Sequence, residues 1–99
     1  MATLHVLSHS PFTDSRLASC LRLLGAEDGI LLCGDAVYAL NPNTEHWARL
    51  AQVVPEARLY ALEEDLAARG QHANNPVQAV DYPGFVALAL AYDKVNTWL

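Results

Sequence analysis

Short apolar runs alternate with amphipathic stretches along this chain, and turn residues separate them. The runs predict strands at 4–7, 30–33, 59–62 and 77–80, and the tail 94–99 can hold a short fifth strand. Because the second run is apolar at every position, we expect its strand to be covered on both faces of a sheet.

Helices are predicted between these strands. The first can begin at Ser10, with Pro11 as its first residue, or slightly later at 13–14. Gly25 lies where this helix should end. Further helices are expected at 44–54, 63–69 and 85–92, and residues 81–84 open the last of them. A loop is expected at 71–76, and 35–40 fits a short helix. The alternation predicts an α/β fold: a single three-layer α/β/α domain with a mostly parallel sheet of four or five strands.

Composition limits the class of protein. The chain has 99 residues, of which 53% are hydrophobic and 17% charged, which suits one compact domain over 1–99. Six basic residues against eleven acidic ones give a formal charge of −5, which argues against direct capture of nucleic acid or anionic lipid. Because few charged residues are available to cover the surface, we expect an oligomer.

Motifs for several common chemistries are absent from the sequence. It contains no Gly-x-Gly-x-x-Gly, Walker-type loop, Cys-x-x-Cys, His-Glu-x-x-His or Gly-x-Ser-x-Gly. His5 and His9 are four residues apart, but a strand and its following turn do not bring them together as a helix would. We therefore expect no metal and no organic cofactor.

The cellular location is inferred from segments and residues that the sequence lacks. No apolar run approaches the roughly 20 residues that span a bilayer, and residues 1–5 lack the features of a signal peptide. Cys20 and Cys33 are too few for a disulfide framework. We expect a cytoplasmic protein that does not bind membranes.

Cys20 is the thiol of most interest. On a helical wheel it lies in the apolar arc with Leu17, Leu21 and Leu24, which predicts a core or interface thiol. Arg16, four residues earlier on the same side, could instead stabilise a thiolate and make Cys20 a sulfur carrier. Both interpretations stay open at this point. Cys33 ends an apolar strand and is expected to be inert.

Polar groups follow several predicted strands, and ligands of parallel sheets gather at the carboxyl ends of strands. His9 is a candidate there, although a turn histidine bonded to nearby backbone is the favoured interpretation. Acidic residues at 63–65 lie at a helix start, where the helix dipole favours carboxylates. A stand-alone small-molecule-binding domain that uses the strand ends at 8–10 and 63–65 is one alternative function.

The last two residues predict an interface. Trp98 lies so near the end of the chain that its own domain is not expected to cover it. Because tryptophan is enriched at protein interfaces, we expect Trp98 and Leu99 to anchor a contact with another subunit.

Several short motifs follow one another in a fixed order along nearly the whole chain. They are LHVL at 4–7, SPF at 10–12, LLCGD at 31–35, VYA at 37–39, LYAL at 59–62, DLAARG at 65–70, DYPGFV at 81–86 and WL at 98–99. In this order they resemble the DsrH/TusB family of intracellular sulfur-relay proteins. The resemblance implies a small three-layer α/β/α domain.

The resemblance also implies partners. TusC/DsrF-like and TusD/DsrE-like subunits would join this chain in a heterohexamer with two copies of each. The complex would receive persulfide sulfur from a TusA-like carrier and pass it to a TusE/DsrC-like carrier, for 2-thiolation of the wobble uridine of tRNA. In a second branch of the family, a similar complex serves dissimilatory sulfur oxidation.

The role of this subunit within the complex is left open by the resemblance. The principal persulfide cysteine would belong to the TusD/DsrE-like subunit, and only some DsrH-like members carry a first-helix cysteine at the position of Cys20. We therefore expect a non-catalytic or sulfur-carrier subunit that acts mainly through assembly. A DsrH-type sulfur-oxidation subunit with Cys20 as persulfide carrier is the alternative.

Overall fold

Five parallel strands form one sheet, and the computed structural model describes them within residues 2–54, 58–71 and 77–98. The strands are β1 (Thr3–Leu7), β2 (Gly29–Leu32), β3 (Leu59–Leu62), β4 (Gln78–Val80) and β5 (Lys94–Trp98). Their spatial order is β4-β3-β2-β1-β5, and every pairing is parallel. The chain therefore winds outward from β1 to β4 and then returns past β1 to add β5 at the other edge.

Helical segments connect these strands. They are α1 (Arg16–Leu23), a 3₁₀ helix (Gly34–Leu40), α2 (Glu45–Val53), α3 (Glu63–Ala68) and α4 (Tyr82–Ala91). The expected α/β fold with a parallel sheet is confirmed, and all five predicted strands are present. The predicted loop 71–76 lies outside the described residues from 72 onward.

Two apolar cores lie on opposite faces of the sheet. The larger core joins α1, the 3₁₀ helix, α2 and α3 to sheet residues such as Ile30, Leu32 and Leu59. The smaller core lies on the face that carries Leu4 and Leu31, and α4 covers it. β2 is buried at every position, as expected of a strand with a core on each face.

The start of α1 lies near the later of the two predicted openings, 13–14, and not at Ser10. Residues 11–13 form a turn, in which the hydroxyl of Ser10 accepts a hydrogen bond from the Phe12 amide at 3.2 Å. The helix begins only at Arg16, whose amide donates to the Asp14 carboxylate at 2.8 Å. Ser10 therefore stabilises a turn rather than a helix, because its hydroxyl bonds to backbone two residues on.

The start of α4 is earlier than the predicted helical range of 85–92. Residues 81–84, which were expected to open the helix, include its N-cap Asp81 and its first turn, so the helix begins at Tyr82 and not at 85. The carboxylate of Asp81 accepts a hydrogen bond from the Gly84 amide at 2.8 Å, and proline occupies the first turn, where its missing amide proton removes no intrahelical bond. The predicted helix 44–54 is confirmed as α2, with Thr44 as its N-cap.

Candidate functional site

A buried polar network lies at the β1–β5 junction. His5 of β1 is almost fully buried, and so is Asp28, which lies just before β2. Nε2 of His5 lies 3.1 Å from a carboxylate oxygen of Asp28, and the indole Nε1 of Trp98 lies 3.1 Å from Nδ1 of His5. The network thus joins the first strand, the last strand and the loop that precedes the second strand.

The chemistry of its neighbours fixes the tautomer of His5. An indole nitrogen only donates a hydrogen bond, so Nδ1 must accept from Trp98. A carboxylate only accepts, so Nε2–H must donate to Asp28. His5 in this arrangement is therefore the neutral imidazole with its proton on Nε2.

Asp28 is held in its ionised form. Burial alone raises the pKa of this carboxyl group, but hydrogen bonds from the amides of Thr3 and Gly25 and from His5 outweigh burial and leave the pKa below 3.8. The two amide nitrogens lie 2.9 and 2.8 Å from the carboxylate oxygens. A carboxylate with several donors stays charged even in a buried place.

Cys20 lies in the larger core, and its side chain is 0% exposed. Burial, with the negative charge of Asp28 as a second cause, raises the pKa of the Cys20 thiol to about 12. The guanidinium of Arg16 pairs with the carboxylate of Asp14. The surroundings of Cys20 thus favour the neutral thiol, which agrees with the core interpretation and weighs against the thiolate that the carrier interpretation needs.

Cys33 lies at the carboxyl edge of the sheet, just after β2. It is half-buried, and its thiol donates a hydrogen bond to the Leu7 carbonyl with a sulfur–oxygen distance of 3.4 Å. Burial raises the pKa of this thiol, and so does the nearby carboxylate of Asp65, while Arg69 lowers it. The direction of the shift supports the expectation that Cys33 is inert.

The neighbouring polar groups at this edge pair mainly with one another. The Gly34 amide donates to the Asp65 carboxylate at 2.8 Å, and Arg69 bridges Asp65 and Asp35. Gly34 has a positive φ of 51°, and a β-carbon there would lie 3.0 Å from the Ser8 carbonyl. This arrangement binds the start of the 3₁₀ helix to α3, so a structural role is sufficient to explain these polar groups.

Two further strand-end candidates lie at the surface. His9 is exposed, with Nδ1 3.4 Å from the hydroxyl of Ser8. Glu63 and Glu64 are exposed in the first turn of α3, where the helix dipole favours them. Within the described ranges, no group of three His, Cys, Asp or Glu side chains could hold a metal ion.

Trp98 is partly covered by its own chain, which its position in the sequence did not predict. It pairs in register with Leu7 at the edge of the sheet, is half-buried and packs against the larger core. This partial cover arises because β5 returns to the edge beside β1, where the indole reaches the larger core and His5. An interface role for Trp98 stays a prediction, and Leu99 lies outside the described residues.

An apolar surface lies on the α4 side of the sheet, and we call it the α4–β5 surface. Its large exposed members are Tyr82, Val86 and Leu90 on α4 and Val95 on β5. Leu90 is 83% exposed and Val86 57% exposed. Val95 pairs in register with Leu4, which belongs to the core beneath α4. Helix and strand therefore present these apolar side chains on one side of the molecule.

A shallow groove of about 110 Å³ lies between α1 and α2, on the other side of the sheet. Its floor is apolar, with Leu17 and Leu21, and its rim carries Asp14, Glu45 and Arg49. Charges of both signs line the rim, so the groove has no electrostatic preference for one class of ligand.

A protein-family model and curated relatives match nearly the whole chain. The family model described as DsrH like protein matches residues 9–95. The proteins named "Protein TusB" from Yersinia enterocolitica serotype O:8 and from Escherichia coli O81 are each 34% identical over 97 residues, which cover 96% of this chain and 99% of theirs. The chain belongs to the DsrH-like family.

The fold of this DsrH-like chain has a solved counterpart. The crystal structure of the ychN protein from E. coli matches it with a TM-score of 0.76, covers 99% of this chain and 100% of that one, and is 20% identical in sequence. At this identity the likeness concerns the fold. Family membership supports the sulfur-relay role that the sequence resemblance implies.

The His5–Asp28–Trp98 network was missed by sequence reasoning on this DsrH-like chain. The sequence draws attention to His5 only through its spacing to His9, and no local pattern singles out Asp28. A histidine inside an otherwise apolar strand was the available signal, because a buried ring nitrogen needs a partner. The identity of that partner depends on the pairing of β5 with β1, which no local pattern indicates.

Within the described residues, no helix has the length and apolar character needed to cross a membrane.

Proposed function

We propose that this chain is a subunit of a cytoplasmic sulfur-relay complex that contributes to 2-thiolation of the tRNA wobble uridine, and that it acts mainly through assembly. Its partners are TusC/DsrF-like and TusD/DsrE-like subunits in a heterohexamer, with TusA-like and TusE/DsrC-like proteins as donor and acceptor of sulfur. The observation that carries the assembly role is the exposed α4–β5 surface.

The composition of α4 supports this role. The segment 82–91 has the sequence YPGFVALALA and contains no charged residue. A surface helix of a monomer normally presents a polar face to water. Here Leu90 and Val86 point outward, although the inner side of the helix already covers the smaller core with Phe85 and Leu88. Apolar residues on both sides of a helix suit one that has a second partner.

The environment of Cys20 supports an assembly role over a carrier role. Transfer of persulfide sulfur resembles thiol–disulfide exchange: an acceptor thiolate attacks the outer sulfur of the donor persulfide, the donor S–S bond breaks, and the donor cysteine leaves as a thiolate. The Cys20 thiol is buried, and its pKa is raised to about 12, so both access and the reactive form are disfavoured. The formal charge of −5 further favours a subunit that leaves tRNA binding to another component.

Co-expression with the TusC/DsrF-like and TusD/DsrE-like subunits from the same host tests the proposal. We expect the wild-type chain to co-purify with both, and Leu90→Asp to lose both while it keeps its fold by circular dichroism. Leu23→Asp is the matched control, because Leu23 is 71% exposed on α1, on the opposite side of the sheet. If Leu90→Asp assembles as well as Leu23→Asp, the assembly role of this surface is wrong.

The tRNA branch is tested in the host. Deletion of the gene should remove 2-thiouridine from tRNA, as measured by nucleoside mass spectrometry. The wild-type gene and Leu23→Asp should restore it, and Leu90→Asp should not. A deletion strain with unchanged 2-thiouridine but impaired oxidation of reduced sulfur would exclude the tRNA role and favour the sulfur-oxidation branch.

A further inference from the structure

The His5–Asp28–Trp98 network can change its hydrogen bonds in only one way when the pH falls. Nδ1 of His5 accepts the indole proton of Trp98 and is the one ring nitrogen without a proton of its own. Uptake of a proton on Nδ1 turns this acceptor into a donor. Two donors then face each other across the present 3.1 Å contact, and the bond to Trp98 is lost.

We infer that His5 is a pH-sensitive latch that holds Trp98, and with it the end of β5, at the edge of the sheet when neutral and releases them when protonated. The bond to Asp28 survives protonation and gains charge assistance, because Nε2–H still faces a carboxylate. The released partner is therefore Trp98 and not the loop before β2. The inference is independent of the role proposed above.

The ionisable groups beside His5 keep their charge states near neutral pH. Asp28 stays ionised because its pKa is held below 3.8, and Cys20 of α1, which interacts with Asp28, stays a thiol because its pKa is raised to about 12. β2 and β5 place Ile30 and Asn96 beside His5, and neither titrates. Lys94, the charged residue of β5, lies two positions along the strand beside Thr3.

Release of Trp98 affects the whole of β5, because the indole is the part of this strand that is packed against the rest of the domain. β5 is an edge strand, so β1 is its partner in the sheet, and residues 94–97 are exposed while Trp98 is half-buried. The indole is thus the part of the strand that is packed against the larger core. A strand that loses such an anchor opens locally more often, while the cores on β1 to β3 stay closed.

Hydrogen exchange of the two indole N–H groups, followed by NMR on the full chain from pH 8 to pH 5.5, tests the latch. This range covers the pH at which imidazole ordinarily takes up a proton. After correction for the intrinsic pH dependence of exchange, we expect protection of the Trp98 indole to fall by about fivefold, the equivalent of one hydrogen bond. The half-buried Trp47 indole on α2 is the reference within the same sample, and its corrected exchange rate should not change with pH.

His5→Gln is the matched variant, because a Gln amide has both a donor for Asp28 and an acceptor for Trp98 but does not titrate. Its Trp98 protection should not change with pH. An equal fall in this variant, or no fall in the wild type, overturns the inference. If the variant does not fold, ¹⁵N shifts of the wild-type imidazole decide: a proton on Nδ1 at pH 8, or protonation at a pH different from the loss of Trp98 protection, overturns it.

Discussion

Asp28 accepts hydrogen bonds from three residues that belong to two segments of the chain. Thr3 at the start of β1, Gly25 after α1 and the ring of His5 all donate to its carboxylate. A neutral side chain in this place would accept more weakly and leave buried donors poorly satisfied. The charge of Asp28 therefore contributes to stability, and its contribution depends on pH.

We expect Asp28→Asn to lower the free energy of unfolding at pH 7 by about 2 kcal/mol, the scale of a hydrogen bond to a charged group. Because the folded-state pKa of Asp28 lies below its usual 3.8, this contribution is complete above that value and disappears as the pH falls through the folded pKa. Urea unfolding at pH 7 and pH 3 measures the difference, which should shrink at pH 3. Asp93→Asn is the control, since Asp93 is exposed and accepts one bond from the Ala2 amide. Equal losses in both variants would contradict this explanation.

Cys20 provides a second prediction at the scale of one residue. A pKa of about 12 in place of 9.0 lowers the thiolate fraction near neutral pH by about a thousandfold, and burial blocks access as well. In a Cys33→Ser background, we expect iodoacetamide to alkylate native Cys20 at least about a hundredfold more slowly than the unfolded chain. Intact mass against time measures both rates. Similar rates would show that α1 opens readily and would reinstate Cys20 as a carrier.

At the scale of elements, α4 is fixed to the sheet through close approach at Gly29. Added to Gly29, a β-carbon would overlap the Tyr92 side chain, which follows directly after α4. The Tyr92 hydroxyl lies 3.4 Å from that of Tyr60 on β3. Burial and the interaction with Tyr60 raise the pKa of Tyr92, so this hydroxyl stays protonated at neutral pH. The absence of a side chain at Gly29 therefore lets the end of α4 lie against the sheet.

We expect Gly29→Ala to lower the free energy of unfolding by about 1–3 kcal/mol, which is typical of an overpacked core. In a Tyr92→Ala background the same substitution should have a much smaller effect, because the overlapping ring is gone. Chemical denaturation of the wild type, both single variants and the double variant gives this coupling. Additive effects would show that strain at β2, and not contact with Tyr92, is the cause.

Element boundaries show where local sequence is sufficient and where it is not. The strands were predicted because apolar runs such as 30–33 and 59–62 keep their character whatever surrounds them. The exact first residues of α1 and α4 were not predicted, because Ser10 and residues 13–14 were both possible openings of α1 and residues 81–84 were expected to precede α4. Asp14, and not Ser10, bonds the first amide of α1, and Asp81 begins α4 before the apolar residues that mark it in sequence.

At the scale of the whole molecule, the position of β5 explains both what the sequence predicts and what it hides. The parallel α/β class follows from the alternation of elements, but the order β4-β3-β2-β1-β5 is a long-range property. That order brings Trp98 to His5 across 93 positions of the chain. It also makes α4 the cover of the second face. The low content of charged residues predicted an oligomer, but it did not indicate that the apolar surface lies on α4 and β5.

The same architecture leads to a prediction for the chain without its partners. Leu90, Val86, Tyr82 and Val95 form an exposed apolar surface, and exposed apolar surface in water favours association. We expect the purified chain to self-associate in sedimentation velocity, with an average mass that rises with concentration. Leu90→Asp should shift the distribution to monomer, because a charge inside an apolar contact is strongly disfavoured. Leu23→Asp adds the same charge elsewhere and should leave it unchanged. A wild-type chain that stays monomeric at every concentration would mean that α4 tolerates water unaided, and the main argument for assembly through this surface would be lost.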